Sequence, residues 1–185
     1  DALATAAFKC NGLLEVDQVI ICSADKDLAQ MVTGDSVVCY DRRREKVMNE
    51  AGVVEKFGVR PSSIPDLLAL TGDAADGIPG IPKWGAKTSA QILSHYGHIE
   101  QIPNDASEWA IKVRGAATAA DNLHSRLEEA LLYKNLTTLR TDVPMETDLK
   151  AMEWKGAKRQ EFEALCEDLG FGRLASLPHK WSDHE

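Results

Sequence analysis

Several features of membrane and secreted proteins are missing from this chain. No apolar run approaches the roughly 20 residues of a membrane span, and no basic-then-apolar signal segment opens it. Cys10, Cys22, Cys39 and Cys166 show no CxxC spacing, so neither a zinc site nor a disulfide framework is indicated. They are expected to be small buried hydrophobes in a reducing cytoplasm. Repeats and low-complexity linkers are absent. So is an excess of positive charge: the formal net charge is −8. A general polyanion binder is normally basic, so any nucleic-acid contact here is confined to a small, defined area. Acidic residues are missing from one place too, with none between Gly77 and Ile99.

What is present suits a globular chain. Its 185 residues are 44% hydrophobic and 27% charged, enough for one domain with a real core, or one plus an appendage. The first residues, Asp1-Ala2-Leu3-Ala4-Thr5, already read as helix, without Met or a cap, so the chain is expected to be part of something longer. Val16–Ser23 holds the β-branched run Val19-Ile20-Ile21-Cys22, expected as a strand buried on both faces of a parallel sheet. Asp25-Lys26-Asp27-Leu28 opens a short helix through Met31, and Ser36–Tyr40 is a second strand. Asp41-Arg42-Arg43-Arg44-Glu45-Lys46 is a charged turn, with Val47-Met48 returning as an edge strand. Helices are expected over 49–57, 61–71, 88–96, 104–113, 116–136 and 157–169, with a frayed polar tail from His179. Strand and helix alternate first and helices follow, which is an α/β class.

Two acid pairs carry the chemistry. Asp25 and Asp27 follow a strand directly, where open α/β sheets place ligands. Two apart in extended chain, they face the same way, about 6.6 Å apart at roughly 3.3 Å per residue. Asp25 capping the next helix is the alternative, but that leaves Asp27 unexplained. Asp73 and Asp76 are three apart, which on a helix places their Cβ atoms roughly 5–6 Å from each other. An Asx-turn before Gly77 would account for them equally well. Taken together, two such pairs favour a shared cation, and with no His or Cys set the ion is a hard one such as Mg²⁺ or Mn²⁺.

Beside the second pair runs Ile78-Pro79-Gly80-Ile81-Pro82-Lys83-Trp84-Gly85-Ala86-Lys87-Thr88. Pro79 and Gly80 make a turn, and Gly85 lets backbone approach a ligand. Ala86, Lys87 and Thr88 supply helix N-terminal N–H groups that suit a phosphate, with Lys83 and Lys87 adding charge. Trp84 is expected to fill core. The three arginines are expected to be solvated, and His95 and His98 to lie at the surface or a helix end.

These motifs, in this order, resemble the bacterial 5′–3′ exonucleases, relatives of the 5′-nuclease domain of DNA polymerase I and of flap endonucleases. The resemblance runs to about Leu177 and is closer to the stand-alone exonucleases. It implies a PIN-like α/β core in residues 1–60, a helix–three-turn–helix (helix-hairpin-helix) helical region in 61–177 and a tail in 178–185. It implies two divalent ions, Mg²⁺ or Mn²⁺, held by Asp1, Asp25, Asp27, Asp73 and Asp76. It implies cleavage of phosphodiester bonds in DNA, or RNA within a duplex, at a 5′ end or 5′ flap. It also implies contact with DNA through Gly80, Lys83, Gly85, Ala86, Lys87 and Thr88, and a K⁺ ion in the hairpin. Asp1 matches the last acid of the family's Glu-Ala-Asp-Asp run; the family's earlier acids and its arch have no counterpart here, so an upstream segment is expected. Lys83 stands where the family commonly has glycine. The cytoplasm, DNA replication and repair complete the expectation. The alternatives are a non-catalytic duplex-binding hairpin protein with an incomplete metal cluster, and a PIN-type ribonuclease.

Overall fold

The computed structural model describes residues 1–182. Helix α1 (Ala2–Asn11) precedes strand β1 (Val19–Ile21), a 3-10 helix (Lys26–Met31), and strands β2 (Val37–Asp41) and β3 (Lys46–Met48). The helices α2 (Glu50–Phe57), α3 (Ile64–Thr71), α4 (Ala86–Tyr96), α5 (Ala116–Ser125) and α6 (Leu127–Thr137) follow. β1 and β2 pair in parallel, Val19 opposite Val37. β2 and β3 pair antiparallel, Cys39 opposite Met48, because the short turn between them can only return the chain that way. Contacts divide the chain into two compact units, 1–145 and 146–185.

Within the first unit, α3 is the organising helix. Apart from Asp66 and Thr71 it is apolar, and it opens with Pro65 in its first turn. Every residue from Ile64 to Leu70 is buried, as expected of a helix without a polar face. That includes Asp66, whose carboxylate is 0% exposed and fully partnered. Its Oδ1 accepts the Ile99 N–H at 2.9 Å and lies 2.8 Å from Lys134 Nζ on α6; its Oδ2 lies 2.9 Å from His98 Nδ1. Burial disfavours the Lys134 ammonium, but hydrogen bonds to Asp66 and Glu100 more than offset this and raise its pKa. Polar links also join the sheet end to the helices: Gln30 Nε2 donates to Thr137 O at 3.0 Å and Leu139 N donates to Gln30 Oε1 at 2.9 Å. One core cluster runs from Ala4 through Ile21 and Leu70 to Ala130.

Some local expectations change. Ile20 is 53% exposed while Ile21 is buried, so β1 buries one face only. Cys22 is exposed; Cys10, Cys39 and Cys166 are buried. The expected helix over 104–113 shrinks to a 3-10 turn at Ala106–Glu108. There Trp109 Nε1 donates to Pro103 O and Tyr96 Oη accepts the Ala110 N–H, so side chains replace the helical ladder. The expected 116–136 helix breaks at Arg126 (φ −128, ψ 28), which re-aims α6 so that Ala130 and Thr137 are buried.

The second unit holds α7 (Leu149–Met152), β4 (Ala157–Lys158), α8 (Arg159–Asp168) and β5 (Trp181–Ser182), with β4 and β5 parallel. Trp181 lies under the Arg159 guanidinium, 4.2 Å from its ring centroid, and 6.0 Å from the Phe162 ring. Residues 181–182 are therefore strand rather than tail, and 183–185 lie outside the described residues. No helix among the described residues is long and apolar enough to cross a membrane.

Removing the buried carboxylate charge leaves Lys134 with only the half-exposed Glu100 as its counter-charge. Asp66→Asn should lower unfolding stability by about 3 kcal/mol, read from urea denaturation. The share carried by Lys134 is complete below its ordinary pKa of 10.5 and is lost as pH climbs through the raised value. Wild type and Lys134→Met should therefore converge in stability at strongly alkaline pH and differ at neutral pH.

Candidate metal centre and nucleic-acid interface

Two chain segments build the acidic site. The first leaves β1 and reaches Asp25 in an extended conformation (φ −67, ψ 119). Asp25 Oδ1 accepts the Asp27 N–H at 3.0 Å and so caps the 3-10 helix. That turn swings Asp27 inward until it is 8% exposed. Its Oδ1 is buried with no hydrogen-bond partner. The second segment leaves the C-terminus of α3. Gly72 (φ 81) ends the helix, and Asp73 and Ile78 exchange backbone hydrogen bonds of 2.8 Å in both directions. The bridge closes a tight loop in which Asp73 Oδ1 accepts the Ala75 N–H at 3.1 Å. The Asx-turn is thus present, and it coexists with the clustering of the acids.

One carboxylate oxygen from each of Asp27, Asp73 and Asp76 lies within 4.8 Å of the others. Asp27 and Asp73 are buried and Asp76 is exposed. Lys26 Nζ sits 2.7 Å from Asp73 Oδ2. Burial first, and then the charges of Asp25, Asp76 and Asp73, push the Asp27 carboxyl up to about 6. Asp73 is instead held below the usual range, chiefly by its hydrogen bond to the Lys26 ammonium. Three carboxylates against one lysine leave a formal charge of −2, with one buried oxygen unpartnered. That donor set fits a hard divalent cation, which takes carboxylate and water oxygens.

Two further expected acids fall outside the group. Asp25 spends one oxygen on the Asp27 N–H, although its charge is still felt at Asp27. Asp1 Oδ1 accepts the Arg140 N–H at 2.8 Å. Lys26 was not anticipated as a site residue; the signal available was a cation placed between two acids.

The hairpin starts where the acids end. Gly80 (φ 73) crosses Gly72, and a Cβ at Gly80 would stand 2.5 Å from Gly72 N. The two passes of backbone touch, so no other residue fits without displacing one of them. Ile81 N–H donates to Leu70 O at 2.8 Å, latching the returning strand onto α3. Lys83 adopts φ 71, the left-handed conformation glycine adopts without strain. Trp84 is core, as expected: its Nε1 donates to Ala119 O at 2.9 Å and its ring lies 6.1 Å from that of Trp109. Gly85 begins α4 with no side-chain cap and no acid in the first turn. Gly85, Ala86 and Lys87 are exposed and Thr88 is half-buried, so this N-terminus offers N–H groups and positive dipole to solvent.

The model of the 5′-3′ exonuclease, C-terminal SAM fold, family matches residues 59–160. DNA polymerase I of Rhizobium leguminosarum is 40% identical over 134 residues, 72% of this chain and 13% of that protein. DNA polymerase I of Bacillus subtilis (strain 168) is 32% identical over 160 residues, 85% and 18% respectively. The 5′-3′ exonuclease of Buchnera aphidicola subsp. Acyrthosiphon pisum is 33% identical over 135 residues, 72% and 47%. A structure of the T5 5′-exonuclease with bound zinc shares the fold, with a TM-score of 0.60 at 24% identity, over 74% of this chain and 49% of that one. A T5 flap endonuclease complex with DNA and metal ions aligns with a TM-score of 0.58 at 23% identity, over 74% and 48%. The chain spans less than half of the length of each of these relatives. With more than half of its residues matched by the family model, and with the acid group and hairpin above, the chain belongs to the 5′-3′ exonuclease family.

Proposed function

We propose that this chain contributes the metal-holding acids and the duplex clamp of a metal-dependent 5′–3′ exonuclease or 5′-flap endonuclease acting on DNA, in the cytoplasm, during replication and repair. The observation that carries the proposal is the group Asp27, Asp73 and Asp76, with oxygens within 4.8 Å and Asp27 Oδ1 buried without a partner. When bound, a pair of Mg²⁺ or Mn²⁺ ions would supply Lewis-acid stabilisation and an activated water for phosphodiester hydrolysis. Asp27, Asp73 and Asp76 would hold them. Asp25 orients Asp27 through its N–H and adds negative charge. Asp1 and Asp25, which the resemblance also assigns to the ions, would join through water. Lys26 balances Asp73 until a cation is present. The hairpin would bind phosphates through the N–H groups of Ala86, Lys87 and Thr88 and the Lys87 ammonium, and a K⁺ ion held there would add positive charge. Gly80 and Gly85 allow the close approach, and Lys83 adds charge at the rim. Contacts of this kind read duplex shape rather than base sequence.

A second reading is a duplex-binding protein without cleavage activity. It draws support from Asp1 and Asp25, each of which spends one carboxylate oxygen on a backbone N–H.

Mn²⁺ should raise the melting temperature of the wild-type chain, and Asp27→Asn or Asp73→Asn should abolish that shift. An equal shift in the variants would remove these residues from metal binding. Mg²⁺-dependent cleavage of a 5′-flap DNA should disappear in Asp73→Asn while duplex binding persists; wild-type duplex binding with no cleavage would favour the second reading. Lys87→Ala should weaken duplex binding about equally across sequences and reduce the salt slope by about 1. A change of sequence preference would contradict the phosphate role.

A further inference from the structure

The metal and hairpin sites leave Arg60, His95 and His98 unused. All three line a cavity of about 460 Å³ between the 58–63 segment and the C-terminal turn of α4. That volume lies within the range of small-ligand sites. Although the chain carries a net charge of −8, no carboxylate lines this cavity among the described residues. Arg60 and His95 have no ion-pair partner among those residues. His98 has one, since its Nδ1 lies 2.9 Å from Oδ2 of the buried Asp66. A carboxylate oxygen only accepts, so Nδ1 carries the proton and Nε2 is the ring nitrogen left for a ligand.

Hydroxyls of Ser62, Ser63 and Ser94 belong to the same lining. Ser63 is 3% exposed and stands at the N-cap of α3, yet its side chain makes no capping hydrogen bond. Such a hydroxyl takes its partner from whatever fills the cavity. Fixed dipoles set the background: α2 and α4 end at this cavity, at Gly58 and Gly97, and α3 begins there. Helix ends carry about half a unit charge each, so together they leave about half a negative unit, which the full charge of Arg60 exceeds. Val54, Val59 and Leu93 add apolar surface.

We infer that this cavity is a binding site for a small phosphorylated molecule, with the phosphate on Arg60, His98 and Ser63 and the rest of the ligand on the Val54, Val59 and Leu93 surface. The planar guanidinium of Arg60 matches two phosphate oxygens at once. A phosphomonoester has a second pKa of about 6, so near neutral pH it both donates and accepts hydrogen bonds. It therefore suits His98 Nε2 in either protonation state of the ring, whereas sulfate, which only accepts, suits one. The 11 residues of α4, at about 1.5 Å rise each, set this end of the helix roughly 15 Å from the hairpin end. The site is thus distinct from the phosphate contact proposed at Lys87, and it stands whether or not the chain cleaves DNA.

The test is isothermal titration calorimetry of the 185-residue chain in buffer free of divalent ions. The probes are adenosine 5′-monophosphate, inorganic phosphate, sulfate and adenosine. The nucleotide should bind wild type and Lys87→Ala alike and more tightly than sulfate does, and adenosine should not bind. Arg60→Gln should weaken the nucleotide about tenfold or more, the loss of a hydrogen bond to a charged group. Ser63→Ala removes a hydroxyl that is not used as a cap; it should weaken binding about fivefold and leave the melting temperature unchanged. Ser62→Glu places a negative charge at the exposed rim and should abolish binding. Amide resonances of Gly58 and Gly97 should shift during the titration. Thermal melts by circular dichroism establish that each variant is folded. A nucleotide bound more tightly than phosphate assigns the apolar surface to the esterified group; equal affinities assign the site to free phosphate. No binding of either to wild type, undiminished affinity in folded Arg60→Gln, or loss of binding in Lys87→Ala instead overturns the inference.

Discussion

Everything near the acidic site depends on the burial of α3. A helix with apolar residues on every side has to be surrounded, and here the neighbouring helices and the 3-10 helix after β1 surround it and bury its one acid, Asp66. Its start is held by Asp66, whose carboxylate joins α6 to the 98–99 corner. Its end delivers Gly72 and Asp73 to a fixed point, where the Ile81–Leu70 hydrogen bond brings the chain back. Because α3 has no free side, Asp73 cannot drift relative to the loop bearing Asp27. The position of the acid group is thus a consequence of core packing.

The molecule buries carboxylates in two different ways. Asp66 has a backbone N–H, an ammonium and an imidazole on its two oxygens, which completes its hydrogen bonding. Asp27 is buried with one oxygen left without a partner and three other acids acting on it. A buried charge without a counter-charge is unfavourable in any protein. The first carboxylate is structural, and the second has the unmet charge and free oxygen on which the proposed metal site rests. The contrast lies in their partners, since both are aspartates in the same fold.

Charge is distributed with equal economy. The net charge is −8, yet the segment from Gly77 to Ile99 is free of acids, and α4 opens with Gly85 and no cap. Lys83 and Lys87 stand at that opening. A second group of cations sits on the β2–β3 turn and α2. Asp73 and Asp76 lie between these basic regions along the chain, so attraction for a polyanion is local and the remaining surface repels it.

Much of the site was legible in the residues. The Asx-turn at Asp73, the acid-free Gly/Pro turn, the helix start at Gly85 and the core role of Trp84 all follow from local chemistry, whereas Asp73 and Asp76 lie in a tight loop and not on one face of a helix. The strand–helix alternation read the order of the first elements, because β-branched runs and capping residues act over a few positions. Tertiary structure alone decided which acids converge. Asp25 and Asp27 look alike in sequence, but the 3-10 turn commits one to a backbone N–H and carries the other inward. It also decided that Ile20 is exposed, that the 116–136 stretch breaks at Arg126, and that Lys26 reaches Asp73. Those outcomes depend on partners distant in sequence, and periodicity along a chain carries no information about which distant residue will occupy the other side.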